Sequence, residues 1–162
     1  GIDKPRIGLL NIGEEEIKGN DLIKQTHQLL KLSNLNYVGY VEGDGIFKGE
    51  ADVVICDGFV GNISLKTSEG VAKMMANFIK QEINRNWLTK LTGVIAYPIW
   101  QGLKKKMNPS NYNGASLVGL TGIVIKSHGS ADADSFAQAV KVAIKAVEQD
   151  IPSLIAANMA QS

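Results

Sequence analysis

Arg6-Ile7-Gly8-Leu9-Leu10-Asn11-Ile12-Gly13 is the stretch that decides the fold: a short apolar run halted by a glycine and then by Glu14, Glu15 and Glu16. Apolar residues without polar alternation belong on a strand covered on both faces, which is the habit of a parallel strand ending in a loop. A helix is predicted next. Leu22, Ile23, Thr26, Leu29 and Leu30 recur at helical spacing between Asn20 and Leu32, with Asn20 or Asp21 suited to cap the first turn. Tyr37 to Val41 reads as a second strand and Ala51 to Cys56 as a third. The third runs into Asp57-Gly58-Phe59-Val60-Gly61-Asn62 before a long helical pattern on which Val71, Met74, Met75, Phe78, Ile79 and Ile83 share one face, predicted to be core.

After a less regular stretch, Gly119 to Ile125 is predicted as a fourth strand, followed by Lys126-Ser127-His128-Gly129-Ser130. The last long helix is expected over Ala133 to Gln149, with Asp132 as N-cap and Phe136, Val140, Ala143, Ile144 and Val147 as its apolar stripe. Ile151-Pro152 opens a short terminal helix, since proline is tolerated in a first turn. Strands alternating with helices make the class α/β, with a mainly parallel sheet between helices.

Bulk properties narrow the function. At 44% apolar content, 162 residues supply one compact core, so one domain is expected. Seventeen basic residues against sixteen acidic ones give no broad cationic field, which argues against a nucleic-acid partner. The single cysteine, Cys56, cannot form an intrachain disulfide; a reducing cytoplasm and a buried structural thiol are the expectation. No run approaches the ~20 apolar residues of a spanning helix, and Gly1 to Arg6 lack a signal peptide's apolar stretch. The chain is therefore read as soluble, and as a piece of something longer because it enters a strand almost at once without an initiator Met.

In open α/β sheets ligands collect beyond the carboxyl ends of the strands, which singles out three loops: Gly13 to Asn20, Asp57 to Asn62 and Lys126 to Ser130. Each offers glycines for close backbone approach and a helix N-terminus behind them, as an oxyanion requires. Lys18 stands beside Gly19 and Asn20. Asn62 is placed to donate to a developing oxyanion, or else merely to shape a helix start. Lys126, Ser127 and His128 bring a charge, a hydroxyl and an imidazole; the imidazole suits either proton transfer or a backbone hydrogen bond. Glu14, Glu15 and Glu16 are consecutive and cannot converge on one metal, so a solvated loop is expected, as is a surface position for His27.

Leu9-Leu10-Asn11-Ile12-Gly13-Glu14-Glu15 followed by Lys18-Gly19-Asn20 closely resembles the phosphate acyltransferases of bacterial phospholipid synthesis. Asp52-Val53-Val54 leading to Asp57-Gly58-Phe59-Val60-Gly61-Asn62, and then Gly122-Ile123-Val124-Ile125-Lys126-Ser127-His128-Gly129, resemble that family's next signatures in the same order. The resemblance covers essentially the whole chain as the family's C-terminal half. It implies a three-layer α/β/α fold similar to isocitrate and isopropylmalate dehydrogenases, and a cytoplasmic, peripherally membrane-associated homodimer. The implied reaction moves a fatty acyl group from acyl carrier protein to inorganic phosphate, with no cofactor and no metal. Lys18 and Asn62 are implied as catalytic, Lys18 holding phosphate and Asn62 steadying the thioester carbonyl oxygen. Gly13, Glu14, Gly19, Asn20, Asp57, Gly58, Gly61, Lys126, Ser127, His128 and Gly129 are expected to line the phosphate and substrate site. Two departures stand out: the family is about twice as long, and Asn113 and Ser116 in Tyr112-Asn113-Gly114-Ala115-Ser116 replace a more usual glycine and proline.

Residues 84–107 read as a helical insertion for dimerisation, membrane association or both. Trp87, Leu88, Leu91, Val94 and Ile95 fall on about a third of a helical wheel, with Gly93 and Pro98 as breakers. Tyr97, Ile99, Trp100 and Leu103 then precede Lys104-Lys105-Lys106, a pairing that suits anionic lipid. The competing readings are a non-catalytic fragment that dimerises and docks carrier protein or membrane, and a nicotinamide-dependent dehydrogenase; against the latter, no strand leads into Gly-x-Gly-x-x-Gly.

Overall fold

The computed structural model describes residues 2–106, 113–129 and 131–160, the side chains of 104–106 excepted. Tyr112 and Ser130, and Met107 at the end of the helical insertion, lie outside the described residues. Along the chain the elements are β1 (Ile7–Leu10), α1 (Asp21–Leu32), β2 (Tyr37–Val41), α2 (Gly45–Lys48), β3 (Val53–Ile55), α3 (Gly58–Ile83), α4 (Trp87–Ile95), α5 (Tyr97–Lys106), β4 (Ala115–Leu117), β5 (Val124–Lys126), α6 (Ala133–Glu148) and α7 (Ile151–Met159). The chain is α/β and divides into two compact units, residues 1–80 and 81–162.

In the first unit β1 lies between β2 and β3, parallel to both, with Leu9 opposite Tyr40 on one side and Ile55 on the other. All four residues of β1 are buried, as its unbroken apolar run requires. Arg6 ties the start of β1 to the start of β3: its Nε and Nη2 donate to the two oxygens of Asp52 at 3.1 and 2.9 Å, and its Nη1 and Nη2 donate to the carbonyls of Glu50 and Gly49. This bidentate contact raises the guanidinium pKa and lowers that of the carboxylate through the same hydrogen bonds. Asn20 caps α1, its Oδ1 accepting from the Ile23 amide at 3.0 Å.

The second unit corrects two expectations. Of the segment expected as a strand over Gly119 to Ile125, only Val124 and Ile125 are strand, in β5, which runs antiparallel to β4 with Leu117 opposite Val124. Gly119 has φ +82 and belongs to the connection between the two strands, not to a strand. The helix through Gly93 is also unbroken. Its first turn is closed by a capping box between Asn86 and Thr89, α4 ends at Ile95 with Ala96 as its C-cap, and Pro98 sits in the first turn of α5. A side chain at Gly93 would collide with Ile83, whose Cγ2 is 2.6 Å from a Cβ built there, so close approach explains this glycine better than a break.

The apolar stripes are real but uncovered. Val71, Met74, Met75 and Phe78 of α3 are each about half exposed, against the prediction that they are core. On α6 the predicted Phe136, Val140, Ile144 and Val147 are exposed, while Ser135, Ala139 and Ala146 are buried. Small residues let α6 approach β5 closely, and the larger side chains stand on the other side. Periodicity states which face seeks cover, not whether this chain provides it.

Candidate functional site

Because β1 and β3 are parallel neighbours in register, the loops that follow them leave the same edge of the sheet. The order β2-β1-β3 reverses direction at the β1–β3 boundary, which is where an α/β sheet opens a crevice for ligands. Two of the three predicted loops flank this point.

The loop after β1 is built around Asn11, which is 5% exposed. The Asn11 amide donates to the Val41 carbonyl at 3.0 Å, its Oδ1 accepts from the Ile12 amide at 2.9 Å, and its Nδ2 donates to the Gly13 carbonyl at 3.0 Å. Gly19 returns the chain against this side chain at φ +85, a backbone state that favours glycine; a Cβ there would lie 2.6 Å from Asn11 Oδ1. Gly13 is buried, whereas Glu14 and Lys18 are exposed. The Lys18 amide donates to the Glu15 carbonyl at 3.0 Å, closing a turn that holds the lysine at the tip of the loop. Glu16 pairs with Lys31 at 2.8 Å, which holds its carboxyl below the usual range and ties the loop to the last turn of α1.

After β3 the helix starts earlier than predicted. Asp57 Oδ1 accepts from the amides of Phe59 and Val60 at 2.8 and 3.0 Å, so the carboxylate itself satisfies the first turn of α3. Asn62 therefore stands on the helix, exposed, and not in the loop. Gly58 is the first residue of α3. Gly61 lets the helix pass close to Cys56, whose Sγ is 2.8 Å from a Cβ built on that glycine. Cys56 is exposed, which corrects the expectation of a buried thiol: β3 ends one residue before it.

The third loop lies in the second unit. Lys126 ends β5, and His128 and Gly129 are exposed. Asn113 braces this loop, its Nδ2 donating to Ser127 Oγ at 2.9 Å and to the Ser135 carbonyl at 2.8 Å while its Oδ1 accepts from the His128 amide at 2.9 Å. Asp132 caps α6 through the Ser135 amide and hydroxyl, which lower its pKa. On α4, Trp87, Leu88, Leu91, Val94 and Ile95 are all exposed. Val94 also lines an open groove of about 340 Å³ with Ile83, Lys90, Gly93 and Tyr97.

A family profile described as fatty acid synthesis protein matches residues 1–154. The chain belongs to the fatty acid synthesis protein family. It is similar to the phosphate acyltransferase of Alcanivorax borkumensis, 58% identical over an aligned length of 162, with 99% of this chain and 48% of that protein covered. It is likewise 58% identical to the phosphate acyltransferase of Alkalilimnicola ehrlichii over 155 residues, covering 96% of this chain and 45% of that one. The phosphate acyltransferase of Halorhodospira halophila is 54% identical over 160 residues, 98% of this chain and 47% of its own. The chain spans about half the length of the curated relatives it matches.

Two features of the chain differ from or go beyond what its sequence suggests. His27, expected at the surface, is 6% exposed. It shares a 2.6 Å hydrogen bond between Nδ1 and the Tyr37 hydroxyl and stacks on Tyr40 at 4.3 Å. Burial lowers its pKa and pushes that of Tyr37 up to about 12. Asn11 and Asn113 are the other surprise: each is an amide that organises a loop the sequence had singled out, and each was quoted only as part of a motif or a departure from one. A lone carboxamide at the end of an apolar strand is the signal that would have pointed to Asn11.

Proposed function

We propose that this chain is the C-terminal part of a phosphate acyltransferase that transfers a fatty acyl group from acyl carrier protein to inorganic phosphate. The observation that carries the reading is the reversal of strand order between β1 and β3, with Lys18 on the loop from one strand and Asn62 on the helix following the other. Lys18, exposed at a braced turn, holds and orients phosphate by charge. A phosphate oxygen attacks the thioester carbonyl carbon, and Asn62 donates to the oxygen as it gains negative charge. The carbon–sulfur bond then breaks, leaving acyl phosphate and the carrier's thiolate. No enzyme nucleophile enters this scheme, and phosphate near neutral pH is already ionised, so proton transfer by His128 is not required. Gly13, Glu14, Gly19 and Asn20 shape the phosphate side, and Asp57, Gly58 and Gly61 set the start of α3.

In the same reading the complete protein has the three-layer α/β/α fold similar to isocitrate and isopropylmalate dehydrogenases and acts as a homodimer. The exposed apolar side chains of α4 support membrane contact. The second reading is a module that dimerises and docks carrier protein or membrane without turnover, for which the same exposed side chains of α4 would serve.

The test is acyl phosphate formation, trapped as hydroxamate, by the full-length protein and by its Lys18→Ala and Asn62→Ala variants. Losses of about a hundredfold or more in both are expected. Failure of the full-length protein with verified acyl carrier protein thioester overturns the reaction, and full rates in both variants overturn the placement of the site.

A further inference from the structure

We propose that Asn11 is a positioning residue for phosphate, acting through Lys18; the inference rests on the function proposed above. The side chain of Asn11 is buried at the end of β1 and bonds to both sides of the turn that begins the loop, to the Ile12 amide and the Gly13 carbonyl. The far end of the same loop closes on it at Gly19, where only the absence of a Cβ leaves room for Asn11 Oδ1. One carboxamide therefore fixes the beginning and the end of the segment that carries Lys18. The lysine itself is exposed, so its ammonium is placed by the loop and not by packing. The stem of Lys18 runs past the glycine that Asn11 bonds, for a Cβ built on Gly13 would lie 3.1 Å from Lys18 Cγ. A flexible point charge on a four-carbon stem is useful in phosphate transfer only where its backbone is held, and Asn11 supplies that hold.

A positioning role predicts more than a loss of activity. In the full-length protein, Asn11→Ala lowers kcat/KM for phosphate about tenfold to a hundredfold, with the KM for the acyl carrier protein thioester unchanged. The decisive readout is the double variant. Added to Lys18→Ala, Asn11→Ala causes no further loss in kcat/KM for phosphate, because the group it positions is already gone. Gly19→Ala, which crowds the same carboxamide from the other end of the loop with Asn11 intact, reproduces the phosphate defect and serves where Asn11→Ala does not fold. Losses that multiply in the double variant, or a phosphate kcat/KM that stays at the parental value in Gly19→Ala and in a folded Asn11→Ala, overturn the inference. If Lys18→Ala alone retains full rate, the proposed function itself has failed, a result separable from failure of Asn11.

Discussion

Gly8 and Val41 form a steric pair whose coupling tests the core of the first unit. Val41, on β2, is 2% exposed, and its Cγ2 occupies the place where a Cβ on Gly8 of β1 would stand. Ala51 Cβ closes the other side, 3.1 Å from the same position. Gly8→Ala has nowhere to put its methyl group and costs about 1–3 kcal/mol by overpacking. Val41→Ala removes two methyl groups, worth about 1.6 kcal/mol in transfer, and the cavity left behind brings the loss to about 2–3 kcal/mol. In the double variant the new methyl fills part of the new cavity, so the combined loss falls short of the sum by at least about 1 kcal/mol. Equilibrium unfolding in urea, followed by far-ultraviolet circular dichroism, reads these values as midpoint shifts of about 1 M for 2 kcal/mol. Both tryptophans, Trp87 and Trp100, lie in the second unit and do not report on this pair. Exchange of the Asn11 amide, bonded to the Val41 carbonyl, supplies a local second probe. Additive losses within about 0.5 kcal/mol refute the argument that the two residues share one space.

His27 makes stability depend on pH in a defined direction. Its folded pKa lies below the ordinary 6.5, so the unfolded chain binds the proton better; stability is full above pH 6.5 and declines as pH falls through the folded value. Melting temperatures measured between pH 7 and about 5, above the ordinary carboxylate range, should show this decline in the parent and lose it in His27→Phe, and a slope that survives the substitution assigns it elsewhere. On α4, Leu88→Glu and Leu91→Glu together should abolish co-sedimentation with anionic vesicles without unfolding the protein, since both side chains are about half exposed. Unchanged binding by the folded variant refutes a membrane role for this helix.

The first unit was legible because each of its signals is local. An apolar run, a capping residue and a helical stripe need only a few neighbouring residues to be read, and β1, α1 and β2 follow from them within a residue or two. The fourth strand failed for a different reason. Its pairing partner, Ala115–Leu117, is three residues long and exposed at each position, so no apolar pattern announced it. The stripe on α3 was located correctly as a stripe and wrongly as core, and that on α6 is likewise exposed, because burial depends on what is packed against a face and the pattern carries no such information.

The candidate site divides along the same line. Lys18, Gly19 and Asn20 could be proposed as candidates because a cation beside a glycine and a helix cap is a local pattern, and Asn62 because it follows two glycines. What holds them could not. The role of Asn11 depends on an 8-residue return of the chain to Gly19, and that of Asn113 on partners at Ser127, His128 and Ser135. Asparagine in these places reads from sequence as one more polar loop residue; only burial and bonded partners distinguish the amide that builds a loop from the amide that decorates it. Asn113 makes the point most sharply. Counted as a departure from a pattern that more often has glycine, it puts the shape of the third loop in question, yet its side chain supplies three hydrogen bonds that glycine cannot make. The departure therefore changes how the loop is held, with a side-chain brace where a glycine would leave the loop without one.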